Sequence, residues 1–235
     1  MITKTKTLGL TGNQLKLLAL LLMTIDHMGI FLFPGQMLWR CIGRLAMPIF
    51  AWMIAEGCTH TRNRLRYLLT LAGFAAICQV VYWVTMSSLD QCIFVTFSLS
   101  VVLICALDYA VKKKSFFSLC VMGAAFVAIC YICLFLPGDL PNLNFSVDYG
   151  ILGVLLPVAI YIARSKEEKL LAAAIVMTPL AMRAGYWQWF SFLSLPLLAL
   201  YNGQRGKWKI KYLFYCYYPL HLVILYGIGL LLAKG

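Results

Sequence analysis

The chain reads as an all-α polytopic membrane protein: a single bundle of about nine transmembrane helices, N-terminus cytoplasmic and C-terminus external. Three observations predict it. Of its 235 residues, 63% are hydrophobic and 12% charged, whereas a soluble domain lies nearer half apolar and a quarter charged. The apolar residues form solid runs of roughly one bilayer crossing, about 20 residues, without the alternation of a membrane barrel. Between these runs, basic residues recur in short segments.

The runs place spans at 15–33, 38–57, 66–86, 91–110, 116–136, 147–163, 168–184, 187–201 and 211–232. The seventh and eighth are the weakest, divided only by a turn near Gly185. Lys4, Lys6 and Lys16 belong to the N-terminal arm; Arg62, Arg64 and Arg66 follow the second span, and Lys112, Lys113 and Lys114 the fourth. Arg164, Lys166 and Lys169 follow the sixth, and Arg205, Lys207, Lys209 and Lys211 the eighth. These are sixteen of the twenty Lys and Arg residues; Arg40, Arg44, Arg183 and Lys234 fall on the other side. Basic loops stay in the cytoplasm, so the alternation orients every span. The net charge of +12 is therefore dispersed over loops and is not a nucleic-acid footprint; the partner it implies is the lipid bilayer. Residues 1–235 read as one transmembrane domain, and the lack of an internal repeat counts against a transporter built from duplicated halves.

The nine cysteines show no paired metal spacing. Cys130 and Cys133 form the one C-x-x-C, inside an apolar run with no nearby His, and read as small hydrophobes rather than metal ligands. Prolines 48, 157, 179, 196 and 219 fall within spans, where each frees a backbone carbonyl and bends the helix.

Ionisable groups within the bilayer are costly and mark function by default. We read them at four places: Asp26-His27 in the first span, Arg40 and Arg44 entering the second, Glu56 at its inner end, and His221 in the ninth. At 1.5 Å per residue, His27 and Arg44 lie roughly 9 Å from the external end and His221 roughly 15 Å from the cytoplasmic start of its span. Two histidines and an arginine are thus expected to converge. Lys16 and His27, eleven residues apart, share one helix face about 16 Å apart in height. Asp26 sits about 100° around the helix and needs a cation, Arg40 or Arg44. Each residue also has a bland role: a membrane histidine serves as an interhelical hydrogen-bond partner, Arg40 as a snorkelling anchor, and Glu56 as a helix-end charge. Tyr217, Tyr218 and His221 share a face that packing alone would explain.

The strings Lys16-…-Thr24-Ile-Asp-His27, Gly43-Arg44-Leu-Ala-Met-Pro48-Ile-Phe50, Ala55-Glu56-Gly57 with His60-Thr61, Asp148-Tyr149-Gly150 and Lys211-…-Tyr218-Pro219-Leu-His221 resemble the TraX family, over about residues 14–226. That family is named for a conjugation protein that acetylates the N-terminal amine of F-type pilin. More distantly, the Lys16-x10-His27 spacing is similar to the basic-x10-His motif of transmembrane acyltransferases acting on cell-surface glycans. The resemblance implies a multi-pass acyltransferase of the bacterial cytoplasmic (inner) membrane. It would use acetyl-CoA or another acyl-CoA as co-substrate, no metal, and an external acceptor, a protein N-terminus or glycan. Under it, His27 is the general base, with Asp26, Arg44 and His221 supporting catalysis. Lys16, Glu56, His60, Arg62 and Arg64 meet the cofactor, and Arg40, Asp148, Tyr149 and Tyr218 the acceptor. The rival classes are a proton- or ion-coupled transporter, with Asp26, His27, Glu56 and His221 as a relay, and a purely structural membrane partner.

Overall fold

The computed structural model describes residues 9–86, 88–208 and 211–232, with only the backbone of Thr85, Met86, Lys211 and Tyr212. Lys4, Lys6, Lys209, Lys234 and both chain ends lie outside the described residues, as does the side chain of Lys211. Among the described residues the chain is helical, without strands. The order is α1 (Gly12–Phe31), α2 (Met37–Gly43), α3 (Ala46–His60), α4 (Arg64–Met86), α5 (Ile93–Lys113), α6 (Phe116–Cys130), α7 (Leu136–Asp139), α8 (Gly150–Ile162), α9 (Lys166–Ala184), α10 (Ser194–Ala199) and α11 (Lys211–Leu232). A π-helical turn, Tyr131–Phe135, joins α6 to α7, and a 3-10 helix, Tyr186–Leu193, precedes α10.

Among the described residues, six helical stretches are long and apolar enough to cross a membrane: α1, α2 with α3, α4, α5, α6 through α7, and α11. The chain is a multi-pass membrane protein. Of the three other predicted spans, the sixth corresponds to α8, with 13 residues, and the seventh to α9, with 19 and charges in its first turn. The eighth run divides into the 3-10 helix and α10. Its extended 3-10 rise of roughly 2.0 Å per residue lets 14 residues reach about 25 Å.

The helix starts follow from local chemistry. Thr11, Ser115 and Ser165 each cap a helix through a reciprocal box with the residue three positions on, satisfying N–H groups that have no intrahelical partner. The second span breaks after Gly43: Pro48 has no N–H to donate to the Arg44 carbonyl, so α3 starts afresh and Arg44 sits at the joint. Pro157, Pro179 and Pro219, by contrast, lie inside helices that continue past them.

α3 is the buried centre. Ala46, Ile49, Ala51, Trp52, Ala55 and Cys58 are almost wholly enclosed, and the small residues among them let neighbouring backbones approach. α6 buries only Ser118 and Ile129 and presents an apolar surface outward, as a lipid-facing helix does. Loops close both ends. At the basic end the Leu10 N–H donates to the Leu200 carbonyl (2.8 Å), and Gly12 and Asn13 donate to Gln204 (2.7 Å) and Arg205 (2.9 Å). At the opposite end Gln91 donates to Ser146 (2.7 Å) and Asp148 to Gln91 (3.1 Å). These two stitched ends frame the interior.

Candidate functional site

The site begins on α1, where adjacent residues face different neighbours. Asp26 faces α2: Arg40 Nη1 donates to its carboxylate at 2.9 Å, and Arg44 Nη2 donates to both oxygens at 3.1 Å. This contact needs Gly43, where any Cβ would overlap the Asp26 side chain. The other amino group of Arg44 donates to the Tyr149 hydroxyl at 3.2 Å and approaches Gln188 Oε1 at 3.5 Å. Tyr149, at the start of α8, has φ 59°, a left-handed backbone that strains a non-glycine residue by about 1–3 kcal/mol. Hydrogen bonds fix that turn: Thr96 Oγ1 donates to the Asp148 carbonyl at 2.7 Å and Gly153 N to the Tyr149 carbonyl at 3.1 Å.

His27 faces α11. Its Nδ1 is 2.9 Å from the Met23 carbonyl and 3.1 Å from His221 Nε2, while His221 Nδ1 is 3.0 Å from the Tyr217 carbonyl. A carbonyl only accepts, so in the neutral pair each Nδ1 carries the proton. His27 Nδ1–H is then shared between Met23 and His221, and His27 Nε2 is left as a lone-pair nitrogen with no hydrogen bond among the described residues. His221 is buried, at 4% exposure, and backs the His27 ring. Tyr218 meets His27 edge-on, ring centres 6.0 Å apart, and its hydroxyl lies 3.4 Å from that of Tyr82.

Two cavities lie near this pair, the second of them lined by His27. One, about 480 Å³, opens at the basic end between Lys16, Glu56, His60, Arg66 and Arg205 and continues inward along Leu20, Met53, Phe97 and Phe214. The second, about 260 Å³, is lined by Asp26, His27, Arg40, Arg44, Asp148, Tyr149, Tyr82 and Tyr218. The structure thus gathers Asp26, His27, Arg40, Arg44, Asp148, Tyr149 and Tyr218 around one cavity. The helix arithmetic pairs Asp26 with Arg40 or Arg44 and brings His27, Arg44 and His221 to one region; His221 stands behind His27 without lining the cavity.

A family model described as TraX protein matches residues 11–229, nearly the whole chain. The chain belongs to the TraX family. It is 26% identical, over an alignment of 255 positions covering 94% of this chain and 96% of the relative, to a probable fimbrial assembly protein FimC, serogroup H1, of Dichelobacter nodosus. A 40-residue stretch, 17% of this chain and 16% of the relative, is 50% identical to an uncharacterized protein of Rickettsia prowazekii. No solved structure matches.

Within this TraX chain two expected cofactor contacts lie elsewhere. Arg64 donates to Asp108 and, at 2.7 Å, to the Tyr161 hydroxyl, which in turn donates to Asp108 at 2.8 Å. That triad joins α4, α5 and α8 and does not line the basic-end cavity. Arg62 is exposed and lines neither cavity. Arg66 and Arg205 stand at the mouth in their place. Glu56 receives Lys169 Nζ at 2.6 Å and lies 3.7 Å from His60 Nδ1, so its main partner is Lys169. Lys16 lies at the mouth with its Nζ 5.5 Å from the Phe214 ring centre. Sequence reasoning passed over Asp108, an acid inside a predicted span that the burial-cost rule marks. It also passed over Tyr82 and Gln188, which nothing short of their neighbours in space would single out.

Proposed function

We propose that this chain is an acyltransferase of the bacterial inner membrane, N-terminus cytoplasmic, that moves an acetyl group from cytoplasmic acetyl-CoA to an external amine or hydroxyl. The observation that carries it is His27, a tautomerically ordered histidine backed by His221, which lines the polar cavity; that cavity shares Met23 and Tyr218 with the basic-mouthed one. Family membership supports the same reading, and the relative named as a fimbrial assembly protein favours a pilin-like N-terminus over a glycan as acceptor.

Lys16, Arg66, Arg205 and His60 would hold the CoA phosphates, because charge-assisted hydrogen bonds to phosphate are strong. The pantetheine arm then extends along the α1 face from Lys16 toward His27, a climb of about 16 Å. The acceptor enters the second cavity beside Arg40, Asp148 and Tyr149. His27 Nε2 takes its proton as the acceptor N or O attacks the thioester carbonyl carbon. The tetrahedral intermediate collapses, the C–S bond breaks, and the departing CoA sulfur receives the proton from His27. Electrons and protons balance, and the histidine is regenerated. His221 Nε2 accepts from His27 Nδ1–H and supports the transient positive charge, as the orienting member of a catalytic triad does. The Tyr218 hydroxyl is the nearby neutral donor for the oxyanion. Arg44, with both amino groups engaged, holds Asp26 and Tyr149 in place.

The test is transfer of radiolabelled acetyl from acetyl-CoA in membranes that carry the native acceptor. Wild type and Lys16→Arg should label a membrane component, and His27→Ala should not. Equal labelling by His27→Ala, or none by wild type, ends this reading.

A further inference from the structure

The two cavities share four lining residues: Met23, Phe50, Ile93 and Tyr218. Each comes from a different helix, α1, α3, α5 and α11, so together they form a ring at the junction. Three of the four are purely apolar, and Met23, Ile93 and Tyr218 are buried. Tyr218 is held by its neighbours: Phe94 packs against it with ring centres 5.1 Å apart, and it abuts both His27 and His221. Charged groups line the cavities on either side, but none lines the ring. Phosphates therefore stay on one side of it and the acceptor's polar groups on the other, since passing an unpaired charge through an apolar neck is costly.

Met23 precedes His27 by one helical turn, about 5.4 Å. Resting on the acyltransferase reading above, the acyl group travels ahead of the pantetheine arm and must pass this ring before its thioester carbonyl reaches His27. We propose that Met23, Phe50 and Ile93 form an acyl-size filter that restricts transfer to short, uncharged acyl groups. The second cavity adds to the selection: with Asp26, Arg40, Arg44 and Asp148 on its walls, a long apolar chain there would desolvate charged groups without replacing their partners.

The experiment compares labelled acetyl-CoA and hexanoyl-CoA in membranes carrying the native acceptor, with wild type, Phe50→Ala and Ile93→Ala. A pocket that senses each methylene discriminates by about tenfold or more. Wild type should therefore transfer hexanoyl at least about tenfold more slowly than acetyl, and each variant should shrink that ratio by about tenfold. Where Phe50→Ala does not accumulate, Phe50→Leu carries the same prediction with a smaller shift. Equal transfer of both chains by wild type, or an unchanged ratio in folded variants, overturns the filter and leaves the acyltransferase reading intact. Absence of transfer from either thioester by wild type overturns that reading and the filter together.

Discussion

Two clusters in this molecule have nearly the same composition and different surroundings. Asp26 with Arg44 and Tyr149, and Asp108 with Arg64 and Tyr161, are each a carboxylate, a guanidinium and a phenol drawn from three helical segments. The first is sealed, with Arg44 and Asp26 side chains 10% and 13% exposed, while Arg64 and Asp108 are 26% and 36% exposed. The first also lines the cavity that His27 lines, and the second lines neither that cavity nor the basic-end one. An ionised group within a membrane helix is thus no guide to function alone. On the proposed function, the free space it borders is what separates a working cluster from a brace.

Mutations should pull the two clusters apart. The largest effect is expected at the residue that Asp26 adjoins: His27→Ala should lower acetyl transfer by about a hundredfold to ten-thousandfold, the usual contribution of a general base, read as initial rate per folded protein. Asp26→Asn should come next, because it strands two arginines; breaking a buried pair costs about 3–5 kcal/mol, visible as a lower melting temperature together with a loss of transfer. Asp108→Asn should cost less than about 1 kcal/mol, the range of a partly exposed pair, with the rate per folded molecule unchanged. Should Asp108→Asn silence transfer while Asp26→Asn spares it, the contrast is reversed and the site has been put in the wrong place.

Smaller effects refine the same division. Gly43→Val should destabilise by about 1–3 kcal/mol, as overpacking does, because its side chain would meet Asp26. At the basic mouth, Arg205→Ala should raise the KM for acetyl-CoA by about tenfold, the value of one charge-assisted hydrogen bond. Arg64→Ala should leave that KM within about twofold, since Arg64 is committed to Asp108. Steady-state kinetics on the pair of variants separates a mouth residue from a neighbouring brace.

Much of this was legible in the sequence, and the rest failed for physical reasons. Solid apolar runs and one-sided lysines and arginines locate the helices because the bilayer imposes a length and a side for charge. Spacing on α1 put Lys16 and His27 on one face, and the cost of a buried carboxylate required Asp26 to find Arg40 or Arg44; it found both. The His27–His221 contact followed from estimated depths. Arg64 and Arg205 were not separable by position, because both lie in basic loops and only the packing of α4 on α5 turns Arg64 toward Asp108. The bend at Arg44 was foreseeable from Pro48, but the role of Gly43 needed Asp26 opposite it. The ring of Met23, Phe50, Ile93 and Tyr218 has no sequence signature, since its members come from four helices and three are ordinary apolar residues.

The most direct test of the central claim measures binding and chemistry on the same purified samples. Wild type and His27→Ala are each titrated with acetyl-CoA while thermal stability is followed, and each is then assayed for acceptor-dependent release of free thiol. Both proteins should be stabilised to a similar degree, with thiol released by wild type alone. Thiol release by His27→Ala at the wild-type rate, or no stabilisation of wild type by acetyl-CoA, would contradict the account.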